Sequence, residues 1–189
     1  MKDPQALAKS LVLDIANSGF ALWQGKDFRS LVDFDKLSQT EQDRIFNEIE
    51  VTGIGLLVLY LDSAISEIVL TEHQRSFDEL REASINFYID YLTEIGVPKK
   101  FVKIWRQLID MRTEEYRQDY QTALKESVNW KEFQGDLKLR KMWAQIETLA
   151  IDGLHHIRRG KTKTNDPLWK LLRFWLLSIY KRIADQRII

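Results

Sequence analysis

The chain predicts an all-α fold, a single-domain bundle of six or seven mostly antiparallel helices over residues 1–189. Three observations carry this. Apolar residues recur at spacings of three and four along most of the chain, the period of one helix face. No run of alternating polar and apolar residues bounded by turn signals occurs, and no Asn-Gly or Asp-Gly dipeptide links strand candidates. The three prolines all stand where helices begin: Pro4 and Pro167 follow an aspartate that can cap a helix, and Pro98 follows Gly96 at a helix-to-helix corner.

The first helix is expected from about Pro4 to Ser18, stopped at Gly19. A less regular aromatic segment with Phe20, Trp23, Phe28 and Phe34 then leads to Ser38, which forms a capping-box pattern with Glu41. Beyond it Ile45, Phe46, Ile49, Gly53, Leu56, Leu57, Tyr60 and Ala64 make one stripe. Leu59, Leu61 and Ile65 make the same helix apolar on further faces, as a central helix requires. Gly53 and Gly55 lower helix propensity there, which the close approach of a neighbouring backbone explains, as does a local kink.

Thr71 is expected to cap a fourth segment whose face carries Phe77, Leu80, Ser84, Phe87, Tyr88, Tyr91 and Ile95, closed by Gly96. The helix from Pro98 presents Phe101, Trp105 and Leu108, then Tyr116 and Tyr120. The next carries Leu139, Met142, Trp143, Ile146, Leu149, Leu154 and Ile157 and ends at Gly160, and the last starts at Pro167. No linker rich in Pro, Gly or Ser and no internal repeat divides the chain.

With 44% hydrophobic and 11% aromatic residues, 189 residues bury a sizeable core, unlike disordered chains. Cysteine is absent, which removes disulfides, thiolate metal sites and thiol nucleophiles and fits a reducing, cytoplasmic setting. The start of the chain lacks the basic, apolar and small-residue order of a signal peptide. The most apolar stretch, Ile54 to Leu61, ends at Asp62, short of the roughly 20 residues that cross a bilayer, so no transmembrane segment is expected.

A formal net charge of zero hides a split. Residues 1–96 carry 8 Lys+Arg against 17 Asp+Glu, and residues 97–189 carry 20 against 11, so the halves stand at −9 and +9. Such asymmetry serves either an anionic partner or attraction between two halves of one domain. Basic residues gather in Lys99, Lys100 and Lys103, and in Arg158, Arg159, Lys161 and Lys163. Phosphate binding uses such cations, but no helix-turn-helix, zinc-finger or RNA-binding signature accompanies them.

Arg112, Glu115 and Asp119 fall at spacings of three and four beside Tyr116 and Tyr120, so charge intrudes on a partly apolar helix face. A buried ionic network or a polar ligand pocket accounts for that, as does a helix half that projects into water. The final helix places Trp169, Leu172, Trp175, Leu176 and Ile179 opposite Lys170, Arg173, Lys181 and Arg182. That face packs on the core or, where uncovered, meets a partner or a second copy.

Metal and cofactor signatures are lacking. A di-iron bundle needs two Glu-x-x-His motifs, whereas the histidines are His73, His155 and His156, and only Asp152 stands three residues before one. A helical wheel centred on Ile146 turns Asp152 and His155 to solvent and puts His156 near the edge of the apolar stripe. No Gly-x-x-x-x-Gly-Lys or Gly-x-Gly-x-x-Gly loop occurs. The expectation is therefore a non-enzymatic helical interaction or regulatory protein that binds a macromolecular partner or itself, with no cofactor. A small-molecule or enzymatic pocket near Arg112 and Glu115 is one alternative, and nucleic-acid binding through the basic half is another.

Overall fold

The computed structural model describes residues 3–67, 71–130, 135–163 and 165–186. Among these residues it forms seven α-helices, two short 3-10 turns and no strand: α1 (Pro4–Gln24), α2 (Lys26–Leu31), α3 (Gln39–Glu67), α4 (Thr71–Glu94), α5 (Lys99–Glu126), α6 (Leu137–Ile157) and α7 (Pro167–Asp185). The all-helical expectation holds.

Helix starts follow the capping chemistry. Asp3 Oδ1 accepts from the Gln5 amide at 3.0 Å, Asp136 Oδ1 from Leu139 at 2.8 Å and Asp166 Oδ1 from Leu168 at 3.0 Å. Each satisfies a donor that the first turn leaves open, worth about 1 kcal/mol. Ser38 Oγ likewise accepts from Glu41 N at 3.3 Å, but the Glu41 carboxylate turns to arginines rather than back to the cap. Gly96 and Gly160 take the left-handed conformation expected at helix ends. Helix α4 begins at Thr71, whose side chain, like that of His73, lies outside the described residues.

Helix α3 is the axis of the bundle, packed against α1, α4, α5, α6 and α7. Ile49, Ile54, Leu56, Leu57, Val58 and Leu61 are fully out of water, and each such side chain contributes roughly 1.5–3 kcal/mol. By length and composition α3 also suffices to cross a bilayer, which the shorter reading of Ile54 to Leu61 missed; 78% of its most apolar window is buried by the rest of the protein. Gly55 explains itself by what faces it: a Cβ there would stand 2.7 Å from the Tyr116 ring of α5. The close neighbour is a ring rather than a backbone.

The first helix runs past its expected stop. Gly19 stays helical inside α1 because α3 presses on it, and a Cβ at Gly19 would collide with Glu50 Oε1. The helix therefore carries Phe20 and Trp23 over α3, where Trp23 meets Phe34 and Phe46 edge-on at 5.2 and 5.5 Å between ring centres. What reads as an irregular aromatic segment is thus the end of α1, the short α2 and a 3-10 turn at Phe34–Lys36, tied by one aromatic cluster.

Candidate functional site

Three polar stripes at helical spacing converge where α3, α5 and α6 meet. Helix α3 supplies Glu41, Arg44, Glu48 and Thr52; α6 supplies Gln145, Thr148, Asp152 and His156; α5 supplies Arg112, Glu115 and Tyr116. Arg112 forms a two-pronged pair with Glu48 of α3, Nε to Oε2 at 3.2 Å and Nη2 to Oε1 at 3.0 Å, and its Nη1 donates to Glu115 at 3.1 Å. Glu48 is nearly excluded from water, so this fork is what makes its charge tolerable there. Tyr116 is fully buried, with its hydroxyl 3.4 Å from Thr52 Oγ1.

Titration in this seam follows burial first. Burial raises the Asp152 carboxyl, the Asp119 and Glu115 carboxylates add to it against the opposing Arg112, and the group is pushed up to about 7. Its Oδ2 is buried without a hydrogen-bond partner. The expectation that Asp152 faces solvent is therefore corrected. Helix α6 is buried on a second, polar face toward α3 and α5, which a wheel centred on Ile146 turns outward. His155 is exposed as expected. The half-buried His156 imidazole stands with Nε2 3.1 Å from Glu115 Oε2. Burial and then Arg112 hold it below its ordinary value, with Glu115 opposing.

Of the residues expected to line a ligand pocket, Arg112, Glu115 and Tyr116 do come together. They form a network closed by Glu48, Thr52 and His156. Asp119 lies on the exposed side facing Asp152. Tyr120 instead lines a separate cleft of about 340 Å³ with Asp62, Arg117 and Lys141.

The open site lies at the far end of the same seam. A cleft of about 540 Å³ is walled by Leu31, Val32, Leu37, Ile45 and Ile157 and rimmed by Arg44, Arg158, Arg159, Lys161 and Lys163. Arg44 donates to the His156 and Ile157 carbonyls at 2.7 and 2.9 Å, closing the C-terminus of α6 with a cation where the helix dipole favours one. Arg158 forks onto Asp166 at 3.0 and 3.2 Å and reaches the Leu31 carbonyl at 2.9 Å, joining α6, α7 and α2. Burial raises Asp166, but the Arg158 hydrogen bond and the Leu168 amide outweigh it and hold the carboxyl below its ordinary value.

The other two carboxylates of the rim are also engaged, Glu41 by Arg44 and Arg159, Asp33 by Lys36 at 2.8 Å. Lys161 and Lys163 are exposed and make no ion pair among the described residues. Every non-glycine residue with positive φ among the described residues lies on this rim: Asp33 at 54°, Arg159 at 52° and Asn165 at 62°. Such backbone costs roughly 1–3 kcal/mol per residue and gathers at functional sites.

The remaining sequence candidates separate. Lys99, Lys100 and Lys103 form an exposed group at the start of α5, apart from the cleft. Of the two readings of the α7 face, the structure takes the core: Leu172, Leu176 and Ile179 are fully buried, and Trp175 is buried with its Nε1 donating to Ser18 of α1 at 3.0 Å, so these residues are not open to a partner. Trp169 is half-buried under the Arg173 guanidinium, 5.3 Å from its ring. The exposed line of α7 is instead Lys170, Phe174 and Lys181.

Arg44, Glu48, Thr52 and Asp166 escaped the sequence reading as site residues. The spacing of Glu41, Arg44, Glu48 and Thr52 would have flagged a polar stripe on an otherwise apolar helix. The charge split is answered in part, because Arg106, Arg112, Arg117, Arg159 and Arg182 of the basic half each pair with an acid of the N-terminal half. Comparison with protein-family models, curated proteins and solved structures finds no match to this chain.

Proposed function

We propose that this protein is a binding protein that receives a phosphate-type anion, free or carried by a larger partner, in the cleft between Arg44, Arg159 and Lys163. One observation carries the reading: each rim carboxylate already has a basic partner, while Lys161 and Lys163 make no ion pair among the described residues. Arg44 and Arg158 are held by backbone carbonyls and Asp166, so the frame of the cleft is organised before anything binds. Lysine heads are compact, strongly hydrated charges that suit a phosphate oxygen as point contacts. The apolar floor of Leu31, Val32 and Ile157 adds area for the group that carries the anion.

Titration with pyrophosphate and, separately, with a single-stranded oligonucleotide tests this across a salt series. A nucleic-acid ligand gives a log–log salt slope of about −0.7 for each neutralised phosphate; a small anion binds without the polymer. The paired substitution Lys161→Glu and Lys163→Glu is expected to weaken whichever ligand binds by at least about tenfold. Absence of binding by both, or binding that ignores the two lysines, overturns the reading.

A further inference from the structure

Helix α5 has two apolar faces: one lies in the core, and the other is largely open, with only Leu108 at its middle half-buried against the core. Trp105, Ile109, Thr113, Tyr116 and Tyr120 face the core. Phe101, Ile104, Leu108 and Met111 form a second line at spacings of three, four and three, the pattern of a coiled-coil seam. Phe101, Ile104 and Met111 are 42%, 57% and 55% exposed. The cause is a length mismatch between neighbours. Helix α6 ends at Ile157, level with Arg112 and Glu115 as the His156–Glu115 contact shows, and α5 runs on past it for three further turns.

We infer that this stretch of α5 pairs with the same stretch of a second copy of the chain, antiparallel and about a two-fold axis near Gln107. Charge selects the occupant and its direction. The seam is basic at one end, with Lys99, Lys100 and Lys103, and acidic at the other, with Asp110 and Glu114. Reversing one copy against the other sets opposite charges face to face; a parallel pairing would set like on like. In the antiparallel register Phe101 packs against Met111 of the second copy and Ile104 against Leu108. Lys100, at the flanking position before Phe101, then meets Glu114.

Both flanking groups face solvent, with Glu114 held on its own helix by Gln118 at 3.0 Å and Arg117 at 3.8 Å. Lys100 is exposed, its Nζ resting 4.9 Å from the Phe101 ring, and the Glu114 side chain is 60% exposed. Four layers make a small interface, at the weak end of specific association. The inference is independent of the anion cleft, because none of these residues lines it.

Sedimentation at submillimolar concentration is expected to show a species of twice the 22.4 kDa chain mass. Ile104→Glu is expected to abolish that species while leaving helicity and melting in dilute solution unchanged. Lys100→Glu and Glu114→Lys are each expected to weaken it about tenfold through the two symmetry-related pairs, and the combined swap to restore it. The chain has no cysteine, so direction is read with single cysteines and a short bis-maleimide. Gln107→Cys, on the axis, cross-links, while Lys100→Cys does not. A monomer at all concentrations, a dimer indifferent to Ile104→Glu, a swap that fails to restore, or cross-linking through Lys100→Cys overturns the proposal.

Discussion

From Arg112 onward α5 is walled by α3 and α6, and Arg112 and Glu115 turn into the seam between them; from Lys99 to Met111 the same rod runs beyond α6 and holds apolar side chains to solvent. Composition barely distinguishes the halves, since both carry aromatic, aliphatic and charged residues at helical spacing. What differs is the neighbour. Inside the walled half a guanidinium is fixed by Glu48 and Glu115, and a carboxyl, Asp152, titrates far from its ordinary range. In the open half Arg106 pairs with Asp110 and Glu82, and it is the apolar Phe101, Ile104 and Met111 that are left to meet something outside the chain.

Substitutions should therefore cost much in one half and little in the other. The largest loss is expected for Arg112→Ala, which strands the Glu48 carboxylate in the interior. Urea unfolding should fall by about 3–5 kcal/mol, and a loss below 1 kcal/mol would show that the fork is ornamental. Gly55→Ala comes next, because its Cβ would press on the Tyr116 ring from 2.7 Å; overpacking of this kind costs about 1–3 kcal/mol.

Asp152 sharpens the contrast through pH. Its folded-state value of about 7 lies above the ordinary aspartate value of 3.8, so between the two the native state keeps a proton that the unfolded chain has lost. Its contribution to stability is therefore full below about pH 4, declines as pH rises toward 7, and is flat above. Asp152→Asn removes that decline, and at pH 8 the variant is expected to exceed the natural protein by about 2 kcal/mol after allowing for partial exposure, with the gap closing by pH 4. Parallel stability–pH curves would contradict the buried placement. The smallest effect is expected for Ile104→Ser in the open half, within about 0.5 kcal/mol in dilute solution, and a larger loss would mean that this face is already covered within one chain.

Much of the fold was legible before any coordinates. Asp3, Asp166, Gly96 and Gly160 mark helix ends by local chemistry alone, and the apolar period of α3 announces a central helix. The errors share one cause. Gly19 reads as a stop and Asp152 as solvent-facing, because a wheel drawn for one helix knows one inside and one outside. In a bundle a helix has several neighbours, and a polar side such as that of α6 is buried when the neighbour is polar too. The site was half legible: Arg158, Arg159, Lys161 and Lys163 belong to the cleft, whereas Arg44 and Asp166, which hold its frame, looked like an ordinary surface charge and an ordinary cap.

Local spacing and capping by themselves determined that this protein is helical, where most helices begin and end, and which residues form the core of α3. Tertiary structure alone decided which charges are paired, since Arg112 and Glu48 lie 64 positions apart and Arg44 reaches carbonyls more than a hundred positions away. It also decided which apolar face stays wet, because that depends on where α6 ends beside α5. Helix formation is governed by neighbours three and four residues along the chain; burial and charge pairing are governed by whatever the packed helices bring within a few ångströms.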